Sequence, residues 1–294
     1  MLYDIRQTTS YSYAVPVRVA RQVLRMTPVD RPGHQHVIAH VLDLQPEAAE
    51  IERGTDFFGN GLTWLTLDQP HDYLQISTRS RVDVTATPLP DAAGTITVDD
   101  ARAAAHGSFD LGPRSPVHGL FPSRGIPFDA GITEWTATSF QGDRPILDAA
   151  VELMRRVHAD FVYEPGSTLV TTAPQEAFAA RRGVCQDFAQ VMIAGMRGLG
   201  LPARYVSGYL RTVPPEGQPR LEGADATHAW VEAWCGPEVG WIGLDPTNAI
   251  PAGDDHIILA VGRDYADVAP VDGVIVSSGD HLLAVGVDVI PVER

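Results

Sequence analysis

Apolar and polar residues alternate with a period of two through much of residues 1–90. The runs are Tyr3–Tyr13, Arg18–Thr27, His36–Gln45, Leu62–Leu67 and Tyr73–Thr87. Turn-forming clusters such as Arg31-Pro32-Gly33 and Phe58-Gly59-Asn60-Gly61 separate them. Successive side chains of a strand point to opposite faces, so this alternation predicts half-buried strands. Short strands at this spacing predict a β-sandwich. No helical period of useful length appears in this part of the chain.

Residues 88–142 are rich in Pro, Gly, Ser and Ala. They read as a long connection with one or two short helices, for instance near Asp99–Ala105. The period then lengthens. Asp143 is placed to cap a helix and Pro145 to occupy its first turn, ahead of Leu147, Ala150, Val151, Met154 and Val157. A second helix is expected from Thr172, in a capping-box-like Thr-Ala-Pro-Gln, to Gly183. A third starts at Cys185 and carries Phe188, Val191, Met192 and Met196 on one face. Gly198, Gly200 and Pro202 end it.

Alternation returns in Ala203–Arg211, His228–Cys235, Trp241–Leu244 and Ile257–Val261. The tail reads as a strand pair, Val274–Ser277 and His281–Pro291. Helices followed by an antiparallel sheet make the fold class α+β. The expected domains are a sandwich over 1–90, a connecting segment over 91–142, a core over 143–268 and a β-strand tail over 269–294.

Composition narrows the function. The net charge of the 294 residues is −15, and all 22 basic residues are arginine. An acidic balance argues against nucleic acid or an anionic membrane surface as partner. Without lysine the chain offers no ε-amine to an amine-consuming reaction. Two cysteines, Cys185 and Cys235, are too few for a disulfide framework. No apolar run of signal-peptide length opens the chain, and none reaches the ~18 residues of a membrane span. A cytoplasmic protein is expected. His34, His36 and His40 are too spread for a metal cluster, and no phosphate-binding glycine loop follows a strand, so no metal and no cofactor are expected.

The candidate chemistry centres on Cys185, at a predicted helix start, where partial positive charge and unpaired N–H groups favour a thiolate. Strand alternation puts His228, Trp230, Glu232 and Trp234 on one face, with Ala229, Val231 and Ala233 on the other. If this strand lies against the Cys185 helix, His228 reaches the sulfur. Asp245 precedes Pro246, which holds it extended at the end of the neighbouring strand. A hairpin through Gly236–Gly240 would bring Asp245 beside His228 and fix its tautomer. Cysteine, histidine and aspartate then serve as nucleophile, base and orienting group.

Gly183-Val184-Cys185-Gln186-Asp187-Phe188-Ala189, Leu201-Pro202-Ala203-Arg204-Tyr205, His228-Ala229-Trp230-Val231-Glu232 and Asp245-Pro246-Thr247-Asn248 together resemble the transglutaminase-like superfamily of papain-type cysteine enzymes. Tyr11-Ser12-Tyr13 and Asp56-Phe57-Phe58-Gly59-Asn60 resemble the N-terminal domain of that superfamily's bacterial branch, whose members are described as cysteine proteases. The resemblance implies a papain-like core and the catalytic roles above. It implies a peptide or protein amide as substrate, with water as the expected acyl acceptor and an amine as the alternative; a non-catalytic protein-binding module is the third reading. A second oxyanion donor is needed beside the Cys185 N–H. The candidates are Tyr163, by its place in the family's pattern, and Gln186, with Trp230 as a further substrate-binding candidate. Asp187 is expected to cap the helix or pair with an arginine such as Arg204.

Overall fold

The computed structural model describes residues 1–212 and 226–293. The N-terminal strands are β1 (Leu2–Val17), β2 (Ala20–Leu24), β3 (Gln35–Gln45), β4 (Glu50–Thr55), β5 (Gly61–Leu67) and β6 (His71–Val84). Alternation did not reveal β4, because all six of its residues are exposed at a sheet edge. Next come α1 (Val98–His106), α2 (Ala130–Ala137), α3 (Ile146–Asp160), β7 (Val162–Tyr163), α4 (Pro174–Ala180), β8 (Arg182–Gly183) and α5 (Cys185–Gly198). The chain continues through β9 (Ala203–Leu210), β10 (Ala226–Trp234), β11 (Trp241–Asp245), β12 (Ile250–Pro251), β13 (His256–Gly262) and α6 (Tyr265–Val268). It ends in β14 (Val271–Ile275) and β15 (His281–Val292). The class is α+β: a β-sandwich joined to helices on an antiparallel sheet.

The two tail strands do not pair with each other. β15 pairs with β1 and β14 with β2, which gives two four-stranded sheets ordered β15-β1-β6-β3 and β14-β2-β5-β4. Leu24, Leu65, Leu74 and Ile76 lie in the cluster between them. The core sheet is ordered β12-β11-β10-β9-β13 and is antiparallel throughout. One face meets the helices, where Ala229, Val231 and Ala233 share a cluster with Phe188, Val191 and Met192. The other meets the sandwich, where Tyr209, Ile257 and Leu259 share a cluster with Tyr3, Ile5 and Val82.

Buried polar groups join sandwich and core. The Gln35 amide donates to the Ile258 carbonyl and accepts from its N–H, both at 2.8 Å. Asn60 does the same with Val261, again at 2.8 Å. These amides satisfy the outer edge of β13, which would otherwise present unpaired backbone groups. Arg31 of the sandwich and Arg204 of β9 both donate to Glu232, at 2.8 and 2.6 Å. Burial alone would raise the Glu232 pKa; the two guanidinium groups outweigh it and hold the value at about 2. No helix among the described residues is long and apolar enough to cross a membrane.

Three helix boundaries differ from the sequence expectation. The cap before α3 is Pro145 rather than Asp143. α4 starts at Pro174 with Ala173 as its cap and no side-chain cap bond, so Thr172 does not open it. α4 stops at Arg181, which takes a left-handed conformation (φ 52°), so Gly183 is not its terminator. Gly183 instead lies in β8, where a Cβ would sit 2.6 Å from the Asp187 side chain, so only glycine fits. A close approach of the same kind sets how α2 meets α5. A Cβ on Gly195 would run into the Thr136 hydroxyl and lie 2.8 Å from the Thr136 Cβ. Alanine gains ~1 kcal/mol of helix propensity over glycine, but overpacking costs ~1–3 kcal/mol. Gly195→Ala is therefore expected to lower the thermal melting temperature; an unchanged or higher value would show that α2 gives way.

Candidate active site

Cys185 is the first residue of α5 and is half-buried. The strand β8 delivers it, pairing in parallel with β7 so that Gly183 faces Tyr163. Asp187 holds the helix entry: its Oδ2 accepts from the Val184 N–H at 2.8 Å and from the Thr168 hydroxyl at 2.7 Å. Asp187 therefore caps the helix, and Arg204 is taken by Glu232 instead.

The helix packs on the small-residue face of β10, not on the face that carries His228. The alanines at 229 and 233 let α5 come close, while Trp230 and Glu232 project toward the sandwich. His228 nevertheless lies close enough to the sulfur for the Cys185 charge to act on its ring, because it sits near the start of β10. The β10–β11 pairing covers only Val231–Trp234, so β11 does not wall off that end. Extending the register puts Asp245 opposite Trp230 and diagonal to His228. His228 Nε2–H donates to Asp245 Oδ2 at 2.8 Å, which leaves Nδ1 for Cys185.

The electrostatics follow from this arrangement. Burial favours neutral His228, but hydrogen bonds and negative charge from Asp245 and Cys185 outweigh it and raise its pKa to about 9. Burial would likewise raise the Asp245 pKa; donation from His228 and His256 holds it well below the usual carboxylate range. The second thiol differs. Cys235 is buried without a charged partner, and burial pushes its pKa up to about 12.

Asp245 is 0 % exposed. Its Oδ1 accepts the Thr247 and Asn248 N–H groups at 2.9 and 3.2 Å. Its Oδ2 accepts from Asn248 Nδ2 at 2.7 Å and from His256 Nε2 at 3.2 Å, besides His228. His256 and Asn248 were missed in the sequence. Asn248 lay within the Asp-Pro-Thr-Asn motif, and its spacing fits an Asx turn. His256 carried no local signal beyond standing before an apolar strand. One ligand atom each from His228, Asp245 and His256 lies within 4.8 Å of the others. The His256 Nδ1 accepts the Gly253 N–H at 3.2 Å, so its Nε2 bears the hydrogen. The set reads as donors around one carboxylate rather than lone pairs around a cation.

The remaining candidates fall in different places. Tyr163 is 51 % exposed; burial of part of the ring and the charge of Cys185 both raise its pKa, which puts it within electrostatic reach of the sulfur. The Gln186 amide donates to the Val170 carbonyl at 2.8 Å, so it staples a loop with one of its two N–H groups. Trp230 is 1 % exposed and packs with Val206, Ile258 and Val261. It stacks on His228 at 6.1 Å, and thus supports the imidazole from behind instead of meeting a substrate. An interdomain cleft of ≈ 390 Å³ is lined by Arg31, Arg204, Trp241 and His256; Cys185 is not among its walls.

Comparison with known proteins matches residues 3–83 to the bacterial transglutaminase-like N-terminal region and residues 133–246 to the transglutaminase-like superfamily. An uncharacterized protein of Mycobacterium tuberculosis is 36 % identical over 297 aligned positions, covering 99 % of this chain and 93 % of its own length. A protein-glutamine gamma-glutamyltransferase of Pseudomonas aeruginosa is 38 % identical over 110 positions, 36 % of this chain and 16 % of that protein. The crystal structure of a "Putative Cysteine Protease from Cytophaga hutchinsonii" has a TM-score of 0.77 at 23 % identity, covering 100 % of this chain and 92 % of that one, so it shares the fold.

The raised pKa makes His228 a stability group. Its contribution is complete below the unfolded value of ~6.5 and is lost as pH rises through the folded value, here about 9. The depressed Asp245 pKa acts oppositely, contributing above the unfolded carboxylate value of ~3.9 and failing as pH falls. Denaturant titrations of wild type should lose stability between about pH 6.5 and about pH 9. His228→Gln should lack that component; an unchanged slope would assign it to other groups.

Proposed function

The chain belongs to the transglutaminase-like superfamily, and from that membership and the site geometry we propose that it is a thiol-dependent amide hydrolase. The observation that carries the reading is His228 held between Asp245 and the Cys185 sulfur at the start of α5. The Cys185 thiolate attacks the amide carbonyl carbon, and the electron pair moves to the oxygen. As the tetrahedral species collapses, the C–N bond breaks and the amine leaves with a proton from His228. A thioester remains. Neutral His228 then takes a proton from water, hydroxide adds to the thioester, and the carboxylic acid leaves as the C–S bond breaks. Asp245 keeps its charge throughout and stabilises the imidazolium.

The Cys185 N–H, unpaired at the helix N-terminus, supplies one oxyanion donor. The Tyr163 hydroxyl, exposed and close enough to sense the sulfur's charge, supplies the second in this reading. Hydrolysis is favoured because the sulfur and Tyr163 are both partly open to water, and water needs no binding site of its own. Acyl transfer to an amine is the second reading. The 110-residue likeness to a protein-glutamine gamma-glutamyltransferase favours it.

Two measurements test these steps. Intact and peptide mass spectrometry with a glutamine- and peptide-amide library, with and without a labelled primary amine, is expected to show cleaved or deamidated substrate without the label, and nothing with Cys185→Ala. Label joined to substrate would replace hydrolysis by acyl transfer; product from Cys185→Ala would remove the triad. On a substrate so found, Tyr163→Phe should lower kcat about 100-fold with KM nearly unchanged. Unchanged kcat would exclude Tyr163 as a donor.

A further inference from the structure

We infer that His256 is a positioning residue of the triad, held in register by the N-terminal sandwich. The inference rests on the triad reading above. Asp245 Oδ2 is the atom that orients His228, and it also receives the His256 Nε2–H at 3.2 Å. The Gly253 N–H fixes the His256 tautomer from the other side, so His256 meets the carboxylate as a neutral donor. A neutral donor restrains the carboxylate's rotation without cancelling the charge that His228 needs. His256 is 1 % exposed, and the edge of Trp230 packs on its ring at 5.2 Å and 76°. The same tryptophan stacks on His228. One indole thus sets the orientation of both imidazoles.

His256 opens β13, and the sandwich grips that strand. Gln35 clasps Ile258, Asn60 clasps Val261, and the Tyr3 hydroxyl donates to Asp255 at 2.6 Å, one residue from His256. The path from sandwich to Asp245 therefore runs through buried and part-buried hydrogen bonds and the backbone of β13. In this arrangement the N-terminal domain is a structural part of the catalytic centre.

Alkylation of Cys185 by iodoacetamide at neutral pH reads the Cys185–His228 pair without any substrate. The variants are His256→Leu, of similar bulk but with no donor, and His256→Gln, which retains a side-chain N–H. Wild type should label Cys185 far faster than Cys235. His256→Leu should slow Cys185 labelling about 10-fold, a loss on the scale of one buried hydrogen bond, with the fold intact by circular dichroism. His256→Gln should return to within about 3-fold of wild type. Asn60→Ala, distant from the sulfur, should also slow labelling. If His256→Leu does not fold, His256→Asn, whose shorter amide falls short of Asp245, takes its place. Wild-type rates in the donor-free variant, or equal loss in the Leu and Gln variants, would overturn the role of His256 and leave the triad standing. Equal slow labelling of Cys185 and Cys235 in wild type would overturn the triad and this inference together.

Discussion

The structure around the candidate site depends on one buried carboxylate. Asp245 has no exposed surface, and an isolated ion there would cost far more than folding supplies. It is tolerated because five donors converge on it: two backbone N–H groups, the Asn248 amide, His228 and His256. Each donor comes with a constraint. The backbone pair fixes the turn after β11, His228 ties β10, and His256 ties β13. Removing the charge would release three chain segments at once, and the imidazole would lose the partner that makes it a strong base.

A second charge cluster sits on the same face of the core sheet, one layer toward the sandwich. Glu232 holds Arg204 of its own sheet and Arg31 of the sandwich, and Arg204 also lies 4.2 Å from the centre of the Trp241 ring. With β14 and β15 returning to the two sandwich sheets, the chain closes on itself: its last strands complete the domain built by its first. Sandwich and core are therefore coupled through covalent topology, a shared apolar layer and paired buried amides.

How far the sequence revealed this differs by element. Alternation identified the sandwich because each of its sheets has one wet face. It failed for β4, which has no buried face, and it could not assign the tail strands to different sheets, because pairing partners lie more than two hundred residues away. In the core the failure has another cause. Both faces of the five-stranded sheet are covered, so β9 is buried along nearly its whole length. Alternation then groups residues by face without saying which face meets the helix. His228 was grouped correctly with Trp230 and Glu232, but that face turned out to be the sandwich side. Contact with Cys185 arises from position along the strand.

The site was legible where signals were local: a glycine before a cysteine that opens a helix, a histidine on a strand, an aspartate before proline. His256 was illegible because its meaning arises only once β13 lies beside β9. The bond from the Gln186 amide to a loop sixteen residues upstream was illegible for the same reason. The central claim is that Asp245 and Cys185 together keep His228 charged at neutral pH. Nuclear magnetic resonance of ¹⁵N-labelled histidine tests it most directly, by following the His228 ring nitrogens across a pH titration. The account predicts a doubly protonated ring at neutral pH that titrates near 9. A ring that is neutral at that pH, with a midpoint close to the ordinary ~6.5, would contradict it.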